Sequence, residues 1–362
     1  MKKLVSIFVV AVMVFSLAAC GGGSAPAPAA ESAPTPAPAA EPAPADDGGG
    51  AGRPLRVGFS QIGSESDWRV GNTESVRQAI EGAGWELVFN DANQQQHLQI
   101  QAMRDFITQG VDYIVFGPIV ETGWDSILRE VKDAGIPVVM IDRTIDMPNQ
   151  EDYYVSWITN NFEDEGIAAA EWLIAYLEQE GRANDNINIV ELQGTVGSGP
   201  QIQRMAGFAA TIAGRPNLQI TQSQTGDFTT ELGKEVMEAF LVKAAADGTP
   251  IDVLYAHNDG MALGAIQAIR EAGLVPGKDI IIIGIDAVKL AFEAIIAGEM
   301  NVTVECSPLM GPTVVEVIQQ HSGGGTPPKT IFNKVRVFDE TLSKVSPDKY
   351  LVAQADLGNR VY

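Results

Sequence analysis

From Pro54 onward, short apolar runs alternate with longer segments in which apolar positions recur every three or four residues. The runs predict strands over 55–59, 85–89, 112–116, 136–141 and 153–158, with helices over 69–82, 97–109 and 122–134 between them. Gly84, Gly110 and Gly135 follow those helical patterns, where C-terminal caps are expected. The alternation then starts again. Strands are predicted over 187–192, 218–223, 252–256, 280–285 and 300–304, and helices over 161–180, 200–213, 230–247, 259–272 and 288–297. Runs such as Tyr113-Ile114-Val115-Phe116 and Val138-Val139-Met140-Ile141 are apolar without alternation, which marks parallel strands covered on both faces. Two successive βα series predict an α/β protein with two doubly wound lobes of similar size. A cleft between such lobes is a favoured place for a small molecule.

The first 53 residues do not share this pattern. Lys2 and Lys3 precede an apolar run from Leu4 to Leu17, then Ala18-Ala19-Cys20, which reads as an export signal over 1–20. Leu17-Ala18-Ala19-Cys20 resembles a bacterial lipoprotein signal, in which the cysteine carries the lipid. Residues 21–52 hold 7 Pro, 11 Ala and 7 Gly and form a linker that cannot pack a core. At ~3.1 Å per residue it could hold the body roughly 100 Å from its anchor. The chain is therefore expected outside the cytoplasm, held to the membrane by lipid alone.

Composition narrows the function. The 362-residue chain carries a formal charge of −22, and losing Lys2 and Lys3 takes that to −24. Such a field opposes nucleic acid and anionic lipid. The three histidines, His97, His257 and His321, lack ligand spacing, so neither metal nor cofactor is expected. Cys306 is the only cysteine besides Cys20 and reads as a small buried hydrophobe.

Polar residues gather where the apolar runs stop. The first run breaks into Gln61, Ser64, Glu65, Ser66 and Trp68; later ones give way to Asp142-Arg143, His257-Asn258-Asp259, Asp286 and Glu305. In open parallel sheets ligands sit at these strand ends. Arg204 follows a Gly-Ser-Gly-Pro turn at a helix start, where a cation opposes the helix dipole and calls for an outside partner. Phe228 follows Gly226-Asp227 and offers an aromatic face. Carboxylates and amides accept from hydroxyls, arginine forks donate to them, and aromatic faces cover C–H patches. The set suits a polyol. No nucleophile elbow, phosphate loop or dinucleotide fingerprint is present, and Gly194-Thr195-Val196-Gly197-Ser198-Gly199 lacks the lysine of a phosphate loop. Carboxylate pairs leave a glycosidase open on motif alone.

Five segments together resemble the periplasmic sugar-binding proteins of ABC transporters, in the ribose- and galactose-binding family. They are Val57 to Ser66, Ile141-Asp142-Arg143, Glu191 to Gly197, Gly226 to Thr229, and Tyr255 to Asp259. The likeness runs from about residue 54 to the C-terminal end and is strongest to the binders of galactofuranose. It implies two Rossmann-like lobes joined by a three-stranded hinge, the type I periplasmic-binding-protein arrangement. The lobes would comprise 53–158 plus 306–335 and 159–305 plus 336–362. It implies a monomeric, non-enzymatic receptor that closes on a monosaccharide and serves ABC transporter permease subunits. By family pattern the ligand contacts are Gln61, Ser64, Glu65, Ser66, Trp68, Asp142 and Arg143 from one lobe, and Arg204, Phe228, Asn258 and Asp286 from the other. Glu305 matches the hinge position. Two departures stand out: Gly260 where relatives carry an acid, and Ala287 where they carry glycine. A tethered sugar or autoinducer sensor shares the same body and is the alternative. A cytoplasmic repressor is opposed by the exported N-terminus and by the lack of a helix-turn-helix segment.

Overall fold

A computed structural model describes residues 53–362. The expected signal, Cys20 and the linker lie outside the described residues. The chain starts with β1 (Arg56–Gln61), α1 (Asp67–Gly82), β2 (Glu86–Asp91), α2 (Gln96–Gln109), β3 (Tyr113–Phe116), α3 (Asp125–Asp133), β4 (Val138–Ile141) and β5 (Ser156–Thr159). Next come α4 (Phe162–Gln179), β6 (Ile187–Gln193), α5 (Gly199–Ile212), β7 (Leu218–Thr225), α6 (Thr230–Asp247), β8 (Val253–Ala256), α7 (Asp259–Glu271), β9 (Ile281–Asp286), α8 (Lys289–Ile296) and β10 (Val302–Glu305). It ends with α9 (Gly311–Ser322), β11 (Thr330–Phe332), β12 (Val337–Asp339), β13 (Leu351–Val352) and α10 (Ala353–Asp356). The expected strand over 153–158 is shorter at its start, because Gln150–Tyr153 forms a 3₁₀ turn.

The strands form two sheets, ordered β11-β5-β4-β3-β1-β2 and β13-β12-β10-β9-β8-β6-β7. All pairings are parallel except β10 with β12. Strands β3, β4, β8 and β9 are buried along their whole length, as unbroken apolar runs require of strands covered on both faces. The chain passes between the sheets after β5, after β10 and after β11. These crossovers are laced together: the Asn160 side chain donates to the Ser307 carbonyl and accepts from Ser307 N–H, and Glu305 N–H donates to the Arg336 carbonyl. This is the two-lobed α/β architecture of type I periplasmic binding proteins.

Each sheet reverses its winding once, between β1 and β3 and between β6 and β8. Ligand-bearing loops gather at such switch points. In the second lobe, packing decides which side chains meet there. A Cβ at Gly166 on α4 would stand 2.3 Å from the Arg204 carbonyl oxygen, and one at Gly207 on α5 would stand 2.3 Å from that of Glu163. Only glycine lets the two helix backbones touch, and that contact brings Glu165 and Arg204 together.

Candidate functional site

Between the strand ends of the two lobes lies a tight cavity of about 20 Å³. Glu65, Ser66, Trp68, Arg69, Asp142 and Arg143 line it from the first lobe. Pro200, Arg204, Phe228, Asn258 and Asp286 line it from the second, and Cys306 of the second crossover completes the wall.

The first-lobe wall is built at the start of α1. Ser66 caps the helix, its hydroxyl accepting from Arg69 N–H at 3.2 Å. One turn spaces Glu65 from Arg69, and Arg69 Nε donates to Glu65 Oε1 at 3.0 Å. The other arm of Arg69 reaches Asp142 Oδ2 at 2.9 Å, and its guanidinium lies 4.6 Å from the Trp68 ring centre. Trp68 is tied to the hinge: its Nε1 donates to the Cys306 carbonyl at 2.5 Å. Burial pushes Glu65 up, but Arg69 and Arg143 outweigh it and hold the carboxyl below its ordinary range. Burial works against the Arg69 cation too, and Asp142 and Glu65 more than offset it.

Arg143 is the less satisfied cation. Its Nη1 donates to the Ile119 carbonyl at 2.7 Å, while its buried Nε has no hydrogen-bond partner and stands 3.9 Å from Asp142 Oδ2. Burial, with Arg69 nearby, pushes it down to about 10. Across the cleft its guanidinium lies 5.2 Å from the Phe228 ring centre, and that of Arg204 lies 6.0 Å from the same ring. The ring is seated by glycine, since a Cβ at Gly194 would stand 1.9 Å from Phe228 Cζ.

In the second lobe Arg204 Nε donates to Glu165 Oε2 at 2.8 Å and Nη1 to the His257 carbonyl at 2.5 Å; Nη2 lies 3.9 Å from Asp286 Oδ1. Burial raises Glu165 to about 7 in spite of Arg204, and raises Asp286 well above its ordinary value, with Asp259 adding to the effect. Asn258 caps α7, accepting from Met261 N–H and donating to the Phe228 carbonyl. Strain collects at these strand ends: φ is +62° at Asp142, +63° at Phe228, +131° at Asp286 and +61° at Ala287. Ala287 thus holds a left-handed conformation that favours glycine, braced by its N–H bond to Thr303 Oγ1. Gly260 leaves close room beside the cap, since a Cβ there would lie 3.3 Å from Asn258 Nδ2.

Three expected ligand contacts stand elsewhere. Gln61 is buried behind the wall, where its amide donates to Asn72 and Thr73 and accepts from Ile62 N–H and Arg69. It braces α1 and Arg69 rather than facing the cavity. Ser64 is exposed and lines an outer groove, because the loop turns it away before Glu65 turns in. Glu305 has both oxygens engaged, Oε2 with Arg336 and Oε1 with Arg336 and Arg360. Glu305 therefore balances Arg336 and Arg360 at the hinge rather than the arginines of the cavity. Arg69, Glu165 and Cys306 enter in its place: Arg69 and Cys306 on the wall, Glu165 behind Arg204. His257 is no metal ligand here; its ring meets Glu191 and Gly194 N–H, and burial lowers it.

Three buried side-chain atoms at this site, Glu65 Oε2, Arg143 Nε and Glu165 Oε1, lack a hydrogen-bond partner. Buried polar atoms left open cost about 1–3 kcal/mol each, and a ligand with several hydroxyls recovers that. Two lobes that share one such polar cavity define a binding protein of the periplasmic type. The family model described as "periplasmic binding protein domain" matches residues 57–326, and the chain belongs to that family. The galactofuranose-binding protein YtfQ of Escherichia coli (strain K12) is 45% identical over 278 residues, 77% of this chain and 85% of the relative. A Mycobacterium smegmatis protein solved in complex with β-D-fucofuranose is 43% identical with a TM-score of 0.76, covering 84% of this chain and 97% of that one. The binding-protein component of the arabinose ABC transporter of Shewanella sp. ANA-3, bound to α- and β-L-arabinofuranose, is 43% identical with a TM-score of 0.75, covering 85% and 99%.

Proposed function

We propose that this chain is a lipid-anchored extracytoplasmic receptor that captures a furanose monosaccharide between its lobes and passes it to the permease subunits of an ABC importer. The observation that carries the reading is the cavity itself. Each lobe brings arginines already paired with acids, yet Glu65 Oε2 and Arg143 Nε, both of lining residues, still lack partners. A sugar ring with several hydroxyls is both donor and acceptor and meets that demand. The relatives named for galactofuranose, fucofuranose and arabinofuranose support a five-membered ring. So does the first-lobe loop, where Trp68 is the single aromatic face and hydrogen-bonding groups stand around it. The receptor acts as a monomer and releases its ligand unchanged.

Titration calorimetry of the purified chain against D-galactose, D-ribose and D-glucose tests the reading. Galactose should bind with low apparent occupancy, since only its minor furanose forms fit. Tight ribose binding with no response to galactose would overturn the galactofuranose-like preference. A second expectation concerns the anchor. Cys20→Ala should move the protein from the membrane fraction to the soluble one while sugar affinity stays unchanged, because the linker separates anchoring from folding. Persistence of the variant in membranes would contradict lipid attachment at Cys20.

A further inference from the structure

Helices α1 and α8 belong to different lobes and face each other across the mouth of the cleft, where Val70 and Leu290 line a groove of about 600 Å³. The last residues of the sequence lie beside this mouth. Arg360 is buried, with its guanidinium 4.6 Å from the Phe292 ring centre and 4.7 Å from that of Phe338. Its Nη1 donates to Glu305 Oε1 and to the Tyr362 hydroxyl, both at 2.6 Å, and its Nη2 to Asp356 at 2.7 Å. Tyr362 is thereby held to the second lobe, and its carbonyl also accepts from Lys289 N–H at the start of α8, at 2.7 Å. Its side chain, however, rests on the first lobe. A Cβ added at Gly71 of α1 would stand 2.7 Å from Tyr362 Cβ and 3.5 Å from its Cγ.

We infer that Arg360 and Tyr362 form a latch, anchored on the second lobe and seated on Gly71 of the first, that favours the shut cleft and slows release of ligand. Neither residue reaches the sugar cavity, so both are positioning residues. Glu305 acquires a role in place of sugar contact: at the mouth of the second crossover it holds Arg360, and through it the tyrosine. A contact made only in the closed form shifts the open–closed equilibrium toward it without touching ligand. The release arm of the test rests on the sugar-receptor reading; the scattering arm does not.

The latch can be loosened from either lobe. Tyr362→Ala removes the ring, and Gly71→Ala places a methyl group 2.7 Å from the Tyr362 Cβ. Tyr362→Phe keeps the ring and the Lys289 N–H bond but loses the hydroxyl's contact with Arg360, so it should loosen the latch less than either, and Val361→Ala, at a residue 77% exposed, is the control. Small-angle scattering of the ligand-free full chain in detergent should give a larger radius of gyration for the two loosened variants than for Tyr362→Phe and the control. Stopped-flow release of D-galactose should be about tenfold faster in the same two variants, with the urea midpoint of Tyr362→Ala close to that of the control. Either change, in both loosened variants and not in Val361→Ala, supports the latch. Unchanged scattering together with unchanged release overturns it. If galactose binds to none of these proteins, the sugar assignment fails and scattering alone decides on the latch.

Discussion

Arg143→Met should abolish capture while leaving the fold as stable as before, or more so. The expected loss of sugar affinity is about 2–5 kcal/mol, the cost of truncating a buried charged partner and leaving the opposing groups unpaired. The ligand-free protein should respond in the opposite sense. Arg143 gives up one hydrogen bond, to the Ile119 carbonyl, and its Nε has no partner to lose. Burial and the neighbouring Arg69 and Arg204 depress its pKa to about 10. A cation depressed in the folded state is penalised at every pH below the folded value, and the penalty fades only as pH climbs above about 10 toward the ordinary arginine range. At neutral pH the penalty is fully present, so methionine removes it and fills much of the volume. Calorimetry with D-galactose and urea unfolding at pH 7.5 read the two effects separately. A variant that binds sugar normally but unfolds at lower urea would reverse this assignment.

Arg204→Met should fail differently, by costing stability itself. Arg204 satisfies Glu165 and the His257 carbonyl and faces Asp286, all in the buried second lobe. Removing one partner of a buried pair costs about 3–5 kcal/mol, because the remaining charge is left without compensation. The loss should depend on pH. Glu165 stands at about 7 in the folded protein against an ordinary 4.5, Asp259 is also raised to about 7, and Asp286 lies well above its ordinary value. For a carboxyl raised by folding, stability is fully present below the ordinary value and is lost as pH rises through the folded one. Without the guanidinium, Glu165 and Asp286 rise further. The gap between variant and parent should therefore be small near pH 5 and large near pH 8. Equal destabilisation at the two pH values, measured by urea unfolding, would mean that packing rather than unpaired acid carries the cost.

The strand ends were legible because unbroken apolar runs stop abruptly at polar residues. Asp142, Arg143, Asn258 and Asp286 stand at such stops, and all four line the cavity. Gln61 and Glu305 stand at stops as well, yet they face away from it. Side chains alternate across a strand, and sequence alone does not say which side the end residue takes. Ser64 was lost to a loop turn of one residue. Arg69 was within reach, since Glu65 and Arg69 are spaced one helical turn apart and that spacing forms an ion pair. Glu165 was hidden in the acidic first turn Glu163-Asp164-Glu165 of α4, where carboxylates have a simpler reason to be. What singles it out is the glycine contact between α4 and α5, a tertiary fact. The strand and helix series, by contrast, needed no tertiary knowledge. Their periodicities differ, and Gly110 ends α2 in the left-handed conformation its position implies.

Cys306 lines the cavity and is buried, and burial raises its thiol well above the ordinary value. The chain has one other cysteine, Cys20. With Cys20 replaced, a thiol reagent added to the protein meets a single target, and it meets that target only while the lobes are apart. The speed of labelling is then a clock for opening, free of any dye or engineered probe. Saturating ligand should slow that clock, and a receptor that spends more of its time open should run it fast.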